Sequence, residues 1–208
     1  MMRWIKEHRY PILINILALV PLVWLVWDFA FDHLSADPIR EIQLRTGRYA
    51  LILLVISLAC TTVYRMFRHK SIRPLRRLSG IYAFSYASLH FLNFVGVDYG
   101  FDLSAIQQDV LEKRFALAGL AAFLLLIPLV ITSTNGWRKK LGKNWKRLHR
   151  LIYLIDLLAI IHFIWLSKID IRIPLIYGTL VVILLIIRLP AIRSIMSKTT
   201  KKQTIRDA

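Results

Sequence analysis

The chain has 208 residues, 57% of them hydrophobic and only 20% charged, with a formal net charge of +17. Length alone admits one or two domains, but the apolar residues are gathered in blocks rather than spread with the period of an amphipathic soluble core, which excludes an ordinary soluble domain. A single cysteine, Cys60, excludes an intrachain disulfide and a thiolate metal cluster.

Six stretches are nearly free of charge: 11–27, 49–64, 78–97, 115–133, 151–166 and 173–187. Each is near the length a helix needs to cross the hydrocarbon core, and two are a little short unless flanking residues snorkel. The first follows Arg3, Lys6 and Arg9, as in a signal peptide, but Val23-Trp24-Leu25-Val26-Trp27-Asp28 offers no small-residue cleavage site, so it reads as an uncleaved anchor. Between the first two stretches, Asp37-Pro38 signals a helix start and a short surface helix. The remaining stretches are joined by a basic segment (65–77), an acidic one (98–112), a second basic one (138–150) and a short turn. Pro11, Pro74 and Pro174 stand at expected helix starts, whereas Pro21 and Pro128 lie inside spans and predict kinks. The expected fold is an all-α membrane protein, one domain over 1–208, built as a bundle of six transmembrane helices.

Charge orients the bundle. With alternating sides, one face carries 22 of the 29 Lys and Arg, and the other carries 9 of the 12 acids, among them Asp28, Asp32, Asp37, Glu41, Asp98, Asp102, Asp109 and Glu112. The positive-inside rule places both termini in the cytoplasm, and attraction to anionic lipid accounts for the excess charge without nucleic acid. Trp4, Trp137 and Trp145 on one side and Trp24, Trp27 and Trp165 on the other fit interfacial belts.

Within this frame the histidines separate into two groups. His8, His33 and His69 fall outside the spans, where a solvated or headgroup-facing role suffices. His90 and His162 each lie fifteen residues past the basic edge of their own segment, at Leu75 and Arg147, so both imidazoles sit roughly 22 Å from the basic side. An ionisable side chain inside a membrane helix marks function by default, although hydrogen bonding to a neighbouring helix also accounts for a single one. Two imidazoles at one depth, on spans running in the same direction, can hold a heme iron from both faces, a low-spin arrangement suited to electron transfer.

His149 lies thirteen residues before His162, about 220° away on an ideal helix, so one heme does not use both. Its level on the third span carries Arg76 and Arg77. It is left as a ligand of a second heme, part of a quinone or flavin site, or a partner of His69. Asp156 is read as the only acid within a membrane core, where it orients an imidazole, carries protons, pairs with an arginine or hydrogen-bonds within the bundle. Tyr82, Ser85, Tyr86 and Ser88 offer hydrogen bonds to heme propionates or a quinone carbonyl, or serve helix packing. The eight glycines form neither GxGxxG nor a Walker loop, so the sequence reads as a relay supplied by a quinone or another protein.

Arg76-Arg77-Leu78-Ser79-Gly80-Ile81-Tyr82-Ala83-Phe84-Ser85-Tyr86-Ala87-Ser88-Leu89-His90 is similar to the signature RRxLGLxAFxYAxLH, apart from an exchange at Ser79-Gly80. Thr132-Ser133-Thr134, then Arg138 to Arg150 with His149, then Tyr153 and His162-Phe163-Ile164-Trp165, resembles a second signature of the same family. This is the heme-binding membrane subunit of the bacterial methionine-sulfoxide reductase system (the MsrQ family, formerly YedZ), in the ferric-reductase-like transmembrane group. The resemblance covers essentially the whole chain. It implies a b-type heme protein of the bacterial inner membrane that takes electrons from the quinone pool to a periplasmic molybdopterin methionine-sulfoxide reductase subunit. His90 and His162 match the heme-ligand positions and His149 the third membrane histidine; FMN is implied by resemblance alone. Electrons are then expected to enter near His149 and Arg147 and to leave at an acidic face around 28–41 and 98–112. The rivals are a metalloreductase-type electron-transfer subunit and a transporter with a His90, Asp156 and His162 proton relay.

Overall fold

A computed structural model describes residues 2–67, 72–167 and 170–188; His69 and the basic tail past Arg188 lie outside them. The described residues form helices and no strand: α1 (Met2–Ala30), α2 (Pro38–Phe67), α3 (Ile72–Leu92), α4 (Leu103–Glu112), α5 (Arg114–Ile131), α6 (Asn135–Leu141), α7 (Lys143–Leu148), α8 (Ile152–Leu166) and α9 (Arg172–Ile186). Among them, Ile12–Ala30, Pro38–Tyr64, Arg114–Ile131 and Lys143–Leu166 are long and apolar enough to cross a membrane. The other two expected spans also fall on helices. Stretch 78–97 is α3 plus a widened π-type segment, Asn93–Asp98, and 173–187 is the shorter α9.

Local chemistry sets the boundaries. Asp37 caps α2 by accepting from the Arg40 amide at 3.0 Å, and Pro38 occupies the first helical position, where its missing N–H costs nothing. The sequence suggested a short surface helix here; instead α2 runs unbroken from Pro38 into the second apolar stretch, because nothing from Ile39 onward breaks the helix. Asp102 caps α4 through the amides of Ser104 and Ala105 at 3.0 and 3.1 Å. Pro11 does not start α1, which begins nine residues earlier at Met2. Pro128 lies inside α5, and the Thr132 hydroxyl donates to its carbonyl at 2.6 Å.

The core joins α1, α2, α3, α5 and α8 through residues such as Ala18, Leu54, Ala83, Leu126 and Ile155, while a second cluster joins α2, α8 and α9. Small residues at Ala18 and Ala83 let backbones approach closely, the usual device where lipid supplies no hydrophobic drive between helices. The tyrosines of α3 serve this packing: Tyr86 donates to the Ala18 carbonyl at 2.6 Å and Tyr82 to Asn15 at 3.0 Å. The Ser85 hydroxyl bonds its own helix at Ile81. These three hydroxyls are therefore bonded within the bundle. Leu17, Val23, Leu124 and Ile176 are instead more than half exposed, as side chains facing lipid are.

Candidate functional site

α2 packs along α3, and α5 along α8. His90 of α3 and His162 of α8 meet between these pairs, their ring centroids 6.1 Å apart and their planes perpendicular. Both line one cavity of about 430 Å³, within the usual range for cofactor sites.

The two histidines are seated alike. His90 donates its Nδ1–H to the Gln43 carbonyl at 2.9 Å, and His162 donates its own to the Phe115 carbonyl at 2.7 Å. One helical turn beyond each carbonyl lies a glycine. A Cβ on Gly47 would come within 2.9 Å of the His90 ring, and one on Gly119 within 2.7 Å of the His162 ring. Only glycine lets each imidazole lie flat enough on the neighbouring backbone to reach its carbonyl. Anchoring Nδ1 fixes the tautomer and leaves Nε2 as the basic nitrogen, as metal-binding histidines require.

This seating is a repeat. Carbonyl, glycine and histidine recur 72 residues later (43 to 115, 47 to 119, 90 to 162). At the same offset Ala50 matches Ala122, Leu54 matches Leu126, Ala87 matches Ala159 and Phe91 matches Phe163, and all of these line the cavity. Sequence reasoning found the histidines and missed the glycines; the shared spacing from Gly47 to His90 and from Gly119 to His162 was the signal.

Two imidazole nitrogens about 2 Å from a metal ion on opposite sides place their ring centroids about 6 Å apart. The observed separation fits an iron held between His90 and His162. The walls suit a flat apolar macrocycle, with Phe91, Phe123, Leu126 and Ile155 among them, and the polar residues Arg48, Asp98, Tyr99, Asp109 and Lys113 also border the cavity. Tyr99 donates to Asp109, and the Lys113 ammonium bonds the same carboxylate at 2.6 Å. Partial burial, then that hydrogen bond, pushes the Tyr99 phenol up to about 12. Burial opposes ionisation of Asp109, but Lys113 and Tyr99 hold it below the usual carboxylate range.

His149 does not line this cavity. It stands in a tight turn, His149–Leu151, that separates α7 from α8, so no single ideal helix links it to His162. The Trp145 ring stacks on it with centroids 4.0 Å apart, and the Thr132 hydroxyl lies 3.1 Å from its Nε2. Trp145 in turn donates to the Thr132 carbonyl at 2.9 Å. Among the described residues Asp156 is fully buried with no hydrogen-bond partner on either oxygen; the Arg188 cation acts on it electrostatically, and it does not line the cavity. It is not the only acid on an apolar helix. Asp28 is buried on α1 and paired with Arg45, which also holds Glu41. Of the acids expected to form a docking face, Asp28, Glu41 and Asp109 are thus engaged within the chain.

Residues 46–160 match the family described as ferric reductase like transmembrane component. Among curated proteins, the chain is 42% identical to the protein-methionine-sulfoxide reductase heme-binding subunit MsrQ of Xanthomonas axonopodis pv. citri, covering 83% of this chain and 82% of that one. It is 44% identical to the MsrQ of Xanthomonas campestris pv. campestris, covering 80% and 79%. It is 40% identical to that of Caulobacter vibrioides, covering 86% of each. No solved structure matches the chain.

Proposed function

Because the chain belongs to the MsrQ family, within the ferric-reductase-like transmembrane group, we propose that it is a b-type cytochrome of the bacterial inner membrane. It carries electrons from the quinone pool to a periplasmic molybdopterin subunit that reduces methionine sulfoxide in oxidised proteins. Six helices cross the membrane with both termini in the cytoplasm, as the charge distribution supports. The observation that carries the reading is the pair of carbonyl-anchored imidazoles, His90 and His162, with centroids 6.1 Å apart in one cavity.

A bound heme supplies one-electron chemistry between ferric and ferrous iron. The chain's own residues do the rest. His90 and His162 present Nε2 from opposite helix pairs, and their Nδ1–H groups stay on backbone carbonyls, so neither ring needs to move a proton. Phe91, Phe123, Leu126 and Ile155 keep water from the cavity, and Arg48 at its polar border supplies a cation for carboxylates, Lys113 being held by Asp109. Arg147 on α7 and His149 in the turn before α8 lie in the basic segment, where quinone or FMN would donate electrons. Asp32 and Asp98 remain for docking the periplasmic partner by charge, with the exposed carboxylates of Asp37, Asp102 and Glu112 beside them, each also bonded within the chain.

The family match to ferric-reductase-like components favours a second reading, in which the same relay feeds a metal-ion acceptor. A proton relay through His90, Asp156 and His162 has less support, since Asp156 does not border the cavity that holds the two histidines. A visible spectrum of the chain purified after heme-replete expression tests the proposal. A Soret band that sharpens and shifts on dithionite reduction is expected; its absence sinks the cytochrome reading. Electron delivery to ferric chelates but not to a methionine-sulfoxide reductase subunit would instead select the metalloreductase.

A further inference from the structure

The two histidines share a seat but not their surroundings. Gln43, whose carbonyl anchors His90 Nδ1, also turns its side chain back onto the same ring, its amide donating to His90 Nε2 at 3.2 Å. That amide is itself held. Asn93, buried in the π-type segment just past α3, donates to the Gln43 Oε1 at 2.7 Å and to the Ile39 carbonyl at 3.1 Å. At the equivalent places beside His162 stand Phe115 and Trp165, and neither offers a side-chain group that bonds Nε2. His162 Nε2 thus has no protein donor among the described residues, whereas His90 Nε2 carries one.

From this asymmetry, and resting on the heme reading above, we infer that Gln43 is an internal competitor for the iron-binding nitrogen of His90. His162 is then the permanent axial ligand and His90 the exchangeable one. Binding iron at His90 breaks one hydrogen bond, from the Gln43 amide to Nε2, and forms one iron–nitrogen bond. No proton moves, because Nδ1–H stays on the Gln43 carbonyl. The freed amide keeps Asn93 as its partner at Oε1. Asn93 and Gln43 are therefore positioning residues that set how firmly the second face is closed.

The competitor separates from the anchor by mutation, since Gln43→Leu removes the amide and keeps the backbone carbonyl. Full-length chain in detergent is titrated with hemin, and the absorption and paramagnetic resonance spectra give affinity and the ratio of low-spin to high-spin iron. Gln43→Leu should bind hemin about two- to tenfold tighter, the weight of one neutral hydrogen bond, and should lose any high-spin fraction. Gln43→Asn, a methylene too short to reach Nε2, should follow it. Asn93→Leu should fall between these and the wild type. His90→Ala should keep hemin as a high-spin species on His162, whereas His162→Ala should lose most of it. Unchanged or weaker binding in folded Gln43→Leu overturns the competitor, and so does hemin retained better by His162→Ala than by His90→Ala. If the wild-type chain itself takes up no hemin, the heme reading fails and this inference with it.

Discussion

The half of the bundle that seats His90 and the half that seats His162 are the same device lined with different chemistry. Each lays an imidazole over a glycine of the helix packed against it and ties Nδ1 to a carbonyl one turn earlier. The α2–α3 half then surrounds its ring with amides, Gln43 and Asn93, while Phe115 and Trp165 take those places in the α5–α8 half. The shared features are those a metal ligand needs for orientation. The differing ones tune a ligand once oriented. A duplicated scaffold can thus seat two imidazoles alike while giving each a different neighbourhood.

The largest effect should come from removing the shared device. Gly119→Ala and Gly47→Ala drive a methyl into the imidazole, 2.7 and 2.9 Å from ring atoms respectively, so each should abolish the low-spin spectrum in a chain that still inserts. Gly119→Ala should be the more severe. If both variants bound heme normally, the rings would not need to lie on the helix backbone.

Asp156 belongs to neither seat. Buried, with no hydrogen bond to its oxygens among the described residues, it costs stability as a buried polar group, offset in part by the Arg188 cation that acts on it. Asp156→Leu should therefore leave the heme spectrum unchanged, and should raise thermal stability only when Arg188→Leu removes the cation with it, by about 1–3 kcal/mol. A loss of spectrum would bring Asp156 into the site and restore the relay.

Thr132→Val removes the hydroxyl beside His149 and should cost about 1 kcal/mol. It should leave the low-spin signal intact, because that histidine lies outside the cavity; a shifted signal would tie the His149 turn to the histidine pair.

The smallest effect should be seen at the cavity border, where Asp109 is held below its ordinary value of 3.8 by Lys113 and Tyr99 against the opposing effect of burial. A depressed carboxylate contributes stability that is present above its unfolded value and lost as pH falls through the folded one. The contact among Tyr99, Asp109 and Lys113 should therefore hold at neutral pH and loosen only in acid below about 4. Asp109→Asn should remove that acid dependence and lower the Tyr99 phenol from about 12 toward 10, read by its ultraviolet titration. An unchanged titration would leave burial and the nearby Asp98 charge as the causes.

Much of this arrangement was legible in the sequence because hydropathy and charge act over long windows. Blocks of Leu, Ile and Val set the helices, and His90 and His162 do meet. The expected depth, however, assumed one helix from Arg147 to His162, whereas the turn at His149–Leu151 separates α7, which holds Arg147, from α8. What escaped depends on contacts between distant segments. Gly47 and Gly119 look like ordinary helix glycines until the ring that covers each is known, although the recurring interval to the histidine held the clue. The π-type widening at Asn93–Asp98, which follows His90 closely, has no simple sequence mark. Asp28 and Glu41 looked like a free acidic face because composition cannot show that Arg45 turns back onto both. Likewise Tyr82 and Tyr86 offered hydrogen bonds to a ligand until α1 supplied Asn15 and the Ala18 carbonyl.

The central claim, that His90 and His162 together hold one low-spin heme and His149 does not, is tested most directly by paramagnetic resonance of three single alanine variants. His149→Ala should retain the low-spin ferric signal, while His90→Ala should convert it to high spin and His162→Ala should lose it. A low-spin signal that survives both His90→Ala and His162→Ala but disappears in His149→Ala would contradict the account.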